Sequence, residues 1–310
     1  MLSIAIATYN RADILNFPLE SLCQQTASTQ DYEILVVDNA STDHTRAVVK
    51  HYQTQFPEHQ IRYIYEPRPG VSVARNRGWL EARSVYIGYV DDDCKLPENW
   101  VGTALSIIKM YSPDAFGGPY FAFYTAEKPR WYKDSYRSKG QHVEEFRPLD
   151  KEEILYGPNM VFRVQLLQEV GGFSPDYGPK GSDFFYGEEA DLLSRIRQRK
   201  PAAAIFFAPQ LVVYHLVRPE KMRLPHLLWH QFLLGRTMNR LYPPQKPPGL
   251  LRVILKLSIF SLWILADSLL GSLFRNRADY PYIQNYLVEK VSLSIRRLGV
   301  VYEQWRLMGL

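Results

Sequence analysis

The chain reads as an α/β protein: a mixed, mainly parallel sheet flanked by helices, followed by a helical C-terminal region. Three observations predict this. Short β-branched runs alternate with helical patterns through the first third, the rhythm of βαβ units. At 310 residues with 46% hydrophobic content, the chain can bury a large core. Beyond Arg218 the pattern turns mostly helical, broken by the Pro243-Pro244 and Pro247-Pro248 pairs.

The elements follow in order: strand 2–8, helix 14–25, strand 32–38, helix 45–56, strand 61–65, helix 71–82 and strand 86–90. After Gly117-Gly118-Pro119 the composition shifts to aromatics, prolines and charges through Leu149, which reads as a long excursion or lid. Its Trp131, Tyr132 and Tyr136 suit either stacking on an acceptor sugar or packing. A second structured block contains a helix 163–170 stopped by Gly171-Gly172-Phe173, a helix 188–199 and a strand 211–214. In the tail, Leu251, Leu255, Ile259, Leu262, Ala266, Leu269 and Leu273 form one helical stripe, with Arg252, Lys256, Asp267 and Arg275 outside it. That stripe wants the protein's own core, a second subunit or a membrane interface. Its interspersed charges leave no run of the roughly 18 uncharged residues that a spanning helix needs.

A formal charge of +5 suits an anionic ligand or membrane surface without requiring either, and nucleic acid is not implied. Cys23 and Cys94 have no metal or redox spacing, which fits a reducing compartment. The first residues read as a strand instead of a secretory signal, so the cytosol is expected.

Ligands of parallel sheets collect at the carboxyl ends of the strands. Those ends carry Thr8-Tyr9-Asn10-Arg11, Asp38-Asn39, Glu66 and Asp91-Asp92-Asp93. Neighbouring like charges are unfavourable unless a cation or strong donors neutralise them, and a divalent metal is the natural choice. Asp91 and Asp93 point to one side of an extended backbone and can share one ligand, while Asp92 faces elsewhere. An acidic turn before the next helix is the bland alternative. Neither G-x-G-x-x-G nor a Walker loop follows the first strand, so phosphate bound here would need a metal.

Several segments together resemble family-two glycosyltransferases of the GT-A fold, the inverting type of bacterial polysaccharide synthesis. They are Ile4–Arg11, Val36–Asp43, Gly70–Gly78, the Asp91–Asp93 triplet, Gly157–Arg163, Gly171–Phe173 and Gly187–Leu192, in order over residues 3 to about 215. The resemblance implies a nucleotide-sugar half over 1–117 and an acceptor and catalytic-base half over 118–218; the helical region over 219–310 lies outside it and is read from its own pattern. It implies a UDP-sugar donor lined by Thr8, Asn10, Arg11 and Asp38, with Asp91 and Asp92 on the nucleotide side. Asp93, with Asp91, would hold Mn²⁺ or Mg²⁺ against the diphosphate, where a hard cation stabilises the departing charge. Arg75 could approach the diphosphate, and Arg77 could do the same or be a solvated helix arginine.

An acceptor hydroxyl needs a base, and the resemblance implies the second residue of the acidic pair, Glu189, where the family more often has Asp, with its neighbour Glu188 as the rival. The pair also reads as an acidic first turn of a helix. His215 sits where a further metal ligand is expected, or is structural. A saccharide or lipid-linked acceptor at the inner face of the plasma membrane would suit the basic, apolar tail, which could instead form a homodimer. A sugar nucleotidyltransferase would need a Gly- and basic-rich first loop, which is missing after Thr8. A non-catalytic nucleotide-binding or membrane scaffold would lack Asp93 or the glutamate pair.

Overall fold

The computed structural model describes residues 1–180, 183–246 and 248–308, so Pro247 of the second proline pair lies outside the described residues. The chain divides into two compact units: residues 1–123, 137–182 and 188–216 form the first, and 124–136, 183–187 and 217–310 the second.

The first unit is built on β1 (Leu2–Thr8), α1 (Asn16–Cys23), β2 (Tyr32–Asp38), α2 (Thr45–Gln55), β3 (Ile61–Tyr65), α3 (Val71–Glu81) and β4 (Tyr86–Tyr89). It continues with β5 (Cys94–Lys95), α4 (Trp100–Tyr111), β6 (Ala115–Gly117), β7 (Tyr120–Phe123), β8 (Arg147–Pro148), β9 (Met160–Arg163), α5 (Val164–Val170) and β10 (Gly178–Lys180). The main sheet has the order β3-β2-β1-β4-β9-β6-β12-β8, where β12 is Ile205–Phe207. Pairing is parallel from β3 to β4 and antiparallel on both sides of β9, giving the expected mixed sheet. Period-two alternation buries both faces: Leu2, Ile4, Ile6, Ile34 and Val36 join one core cluster, and Ala5, Leu35 and Val37 the other.

β1, β2 and β3 coincide with the strands read from the sequence. The first helix starts two residues later, at Asn16, and α5 starts at Val164 because Arg163 still pairs in β9. Gly171 ends α5 in the left-handed conformation, with φ of 81°. A second sheet, β5-β13-β7, contains β13 (Val213–Leu216); His215 therefore lies inside this strand, not at the end of one. α6 (Glu188–Arg199) supplies the glutamate pair in its first turn.

Because the chain winds from β1 outward to β3 and then returns to β4 on the other side of β1, the winding reverses between β1 and β4. Their carboxyl ends open the crevice where such sheets take ligands.

The second unit contains β11 (Asp183–Phe185), α7 (Leu224–Leu241), α8 (Leu250–Phe274), α9 (Ile283–Tyr286), a π-turn over Leu287–Val291 and α10 (Ser292–Arg306). α7 and α10 cross where both lack a side chain. A Cβ on Gly235 would strike the Arg296 carbonyl, and one on Gly299 the Phe232 carbonyl. The excursion segment 124–136 packs within this unit: Asn285 donates to the Trp131 carbonyl at 2.6 Å and to the Tyr136 hydroxyl at 2.7 Å, and Tyr132 is buried. For Trp131, Tyr132 and Tyr136 this favours packing over a stacking platform. The seven-residue apolar stripe of α8 is exposed throughout.

Candidate active site

Four loops at the carboxyl ends of β1 to β4 bring the sequence-predicted residues together. Asn10 adopts φ of 52°, a conformation that asparagine tolerates better than most residues. Its amide oxygen accepts from the Thr42 backbone N–H at 2.7 Å, and its own N–H donates to Ser41 Oγ at 2.9 Å. Asn10 thus spends its side chain pinning the β2–α2 loop. Asp38 is likewise engaged: one oxygen accepts from Ser41 N–H at 2.9 Å, the other from the Tyr63 hydroxyl at 2.6 Å. Thr8 is buried beside them, while Tyr9, which the sequence reading passed over, projects its ring 54% exposed. An exposed aromatic at a strand end among polar residues was the available signal.

The acidic triplet does not depend on a cation alone for neutralisation. Asp92 is buried and accepts from Arg11 Nη1 at 2.7 Å; burial raises its proton affinity, and the arginine opposes that. The same Nη1 lies 3.4 Å from Asp93 Oδ2, so Arg11 serves two acids, and Asp92 in particular holds its guanidinium charged. Asp93 Oδ1 meets His215 Nε2 at 3.0 Å. Asp91 turns the other way, accepting from Arg75 Nη2 at 3.2 Å.

One ligand atom each of Asp93, Cys94 and His215 lies within 4.8 Å of the others. Carboxylate oxygen suits Mg²⁺ and Mn²⁺ alike, and imidazole nitrogen favours Mn²⁺ over the harder ion, so this corner fits a divalent cation that a diphosphate would complete. Asp91 is not in this group, because Arg75 draws its carboxylate away. Cys94, read as a packing thiol, is, because β5 pairs with β13 in the register Cys94 to His215. Its thiol is fully buried, and burial raises its pKa well above the ordinary value.

Arg75 differs most from expectation. Its buried guanidinium is shared among three carboxylates, with Nη1 at 3.0 Å from Glu188 Oε1 and 3.2 Å from Glu189 Oε1, and Nη2 on Asp91. It is therefore spent on acids of the protein, while Arg77 pairs with Glu81 at 2.7 Å on its own helix. Burial first, and the Glu189 charge second, raise the pKa of Glu188. Its Oε2 has no hydrogen-bond partner among the described residues. Glu189 is more accessible, its side chain 17% exposed against 7% for Glu188. Gly157 leaves room for this cluster: a Cβ there would run into Glu189 Oε1 and lie 2.8 Å from Arg75 Nη2, so the ends of both side chains would have to shift.

A model of the family described as glycosyl transferase family 2 matches residues 3–171, more than half of the chain. Among named relatives, Glycosyltransferase AglE of Haloferax volcanii is 25% identical over 235 residues, covering 76% of this chain and 71% of AglE. The Glucosyl-dolichyl phosphate glucuronosyltransferase of the same organism is 24% identical over 258 residues, covering 78% of each. A mannosyltransferase, PcManGT from Pyrobaculum calidifontis, in complex with GDP-Man and Mn²⁺, superposes with a TM-score of 0.64 at 16% identity, covering 98% of this chain and 87% of that one. S. aureus TarS 1-349 in complex with UDP gives 0.55 at 17% identity, covering 98% and 91%. Likeness of this degree to solved structures shows the fold.

Proposed function

The chain belongs to glycosyl transferase family 2, and we propose that it is a metal-dependent, inverting enzyme transferring a sugar from a nucleoside diphosphate donor, UDP-linked, to a saccharide or lipid-linked saccharide hydroxyl. One observation carries the reading: Arg75 joins the first acid of the triplet to the glutamate pair, so the donor-side carboxylates and a candidate base form one connected cluster.

Each residue then has a task. Tyr9 offers a ring face to the nucleobase, and Arg11 sets a positive charge beside the diphosphate while balancing Asp92 and Asp93. Asp93 and His215 would hold the Mn²⁺ or Mg²⁺, whose chemistry is to stabilise charge on the leaving diphosphate as a Lewis acid. Glu189 is the accessible carboxylate and takes the acceptor proton as the hydroxyl oxygen attacks the anomeric carbon. The carbon–oxygen bond to the diphosphate breaks on the opposite face, which inverts the configuration in one displacement. Glu188, buried and inclined to keep a proton, shares Arg75 Nη1 with Glu189.

A lipid-linked acceptor is supported by the dolichyl phosphate in the name of one relative. With it goes a cytoplasmic location at the inner face of the plasma membrane, tested by fractionating cells that produce the tagged chain. The central test is calorimetric titration of UDP with and without Mn²⁺, on the parent and on Asp93→Ala. Binding that requires Mn²⁺ and fails in Asp93→Ala is expected, whereas UDP binding indifferent to the metal overturns the reading.

A further inference from the structure

We infer that α8 is an in-plane membrane anchor: it lies flat against its own unit and embeds its outward face in an anionic lipid interface. The helix has 25 residues, so it runs about 37 Å at 1.5 Å per residue. It is long and apolar enough to cross a membrane by length and composition. Its seating argues otherwise. Val253 near one end and Gly271 near the other are both buried, and a Cβ on Gly271 would strike the ring of Tyr286. A helix held at both ends against its own unit lies along that unit and does not leave it.

Polarity along α8 runs opposite to that of an ordinary surface helix. Asp267 faces inward, where it accepts from the Tyr286 hydroxyl at 2.7 Å, and Lys256 flanks the same half-buried side. Outward stand Ile254, Leu255, Ile259, Leu262, Leu269 and Leu273, all exposed. At 3.6 residues per turn the exposed arc covers roughly 200° of the circumference. Monomeric proteins do not leave such a surface to water. A second copy of the chain would cover one stripe of it, about 100° wide, as in helix pairs. A fluid hydrocarbon surface wraps the whole arc.

Charge points the same way. Arg252 on the first turn, and Arg275 and Arg277 just past the last, set positive charge at both ends, as anionic headgroups favour. Trp263, 63% exposed, sits at the margin of the arc, where tryptophan prefers the boundary between headgroups and chains.

The test is co-flotation of the full chain with vesicles of phosphatidylcholine alone, or mixed equally with phosphatidylglycerol. Binding to the mixed vesicles is expected, and Leu262→Glu with Leu269→Glu should weaken it by at least about tenfold without changing the melting temperature, since both sites are exposed. Arg275→Gln with Arg277→Gln should lower the preference for the anionic vesicles. Quenching by lipids brominated high on the acyl chain, lost in Trp263→Phe, marks the in-plane position. Quenching stronger from the chain ends means a span and overturns the proposal. So does failure to bind either vesicle, or a dimer in sedimentation that the double glutamate variant dissociates in a protein without lipid affinity.

Discussion

The two units each bury one charge inside a triad of opposite charges, and the two triads are mirror images. In the first, the single guanidinium of Arg75 is shared by Asp91, Glu188 and Glu189. In the second, the single carboxylate of Glu303 is shared by Arg236, Arg240 and Arg306, each at 2.8 Å. Excess acid around one arginine leaves a carboxyl that favours its proton: burial, then the Glu189 charge, raise Glu188. Excess arginine does the reverse. Burial pushes Glu303 up, but hydrogen bonds from Arg306, Arg236 and Arg240 outweigh it and bring the group down to about 2. The first triad holds a carboxyl, Glu188, inclined to keep its proton; the second holds one inclined to stay ionised, and its ion pairs with Arg236 and Arg240 tie α7 to α10.

The largest effect expected from breaking this contrast is chemical. Glu189→Gln should lower turnover by about 10²–10⁴-fold while leaving the affinity for UDP and Mn²⁺ within a small factor of the parent, as seen in steady-state kinetics beside calorimetry. Retained turnover would move the base role to Glu188.

Next comes Arg75→Met, which leaves buried acids without their cation and should cost about 3–5 kcal/mol in urea unfolding. Arg75→Lys keeps the charge but not the fork that reaches three carboxylates, so it should recover most of the stability and little of the turnover. Equal recovery of both would reduce Arg75 to a structural pin.

Glu303→Gln probes the mirror triad, whose arginines are partly exposed and better able to tolerate the loss. A cost of about 2 kcal/mol, with unchanged turnover per folded molecule, is expected from thermal melts and activity assays together. A change in turnover would mean that the second triad is more than structural.

The last contrast is in the pH dependence of stability. Glu188, raised in the folded state, contributes stability that is present below the unfolded carboxylate value of 4.5 and is lost as the pH rises toward the raised one. Glu303, lowered to about 2, contributes above 4.5 and loses it as the pH falls toward 2. Without Mn²⁺, Glu188→Gln should therefore flatten the stability profile above pH 4.5, and Glu303→Gln should flatten it below. Opposite assignments in chemical denaturation would refute the contrast.

Much of the first unit was legible because its signals are local. Period-two burial and crossover spacing located β1, β2 and β3, and the run of Asp91, Asp92 and Asp93 at the end of β4 marked the place where ligands collect. Pairings between distant parts were not legible. Arg75 and Glu188 stand 113 positions apart, and only the folded sheet reveals that the arginine reaches the glutamates. Cys94 joins Asp93 and His215 through the register of β5 against β13, which no spacing encodes. The aromatics of the excursion carried no period, so their place under Asn285 was hidden. The α8 stripe was visible at once, but whether the protein would cover it was a question of tertiary packing.

The bare crossing of α7 and α10 has a mechanical consequence. With a carbonyl of each helix set against a glycine of the other, neither rod can roll or slide without driving backbone into backbone. The pair is stiff for the same reason that it is intolerant of replacement: even alanine at position 235 or 299 would pry the rods apart. A tug on one is thus felt at full strength by the other, and their seam should give way all at once.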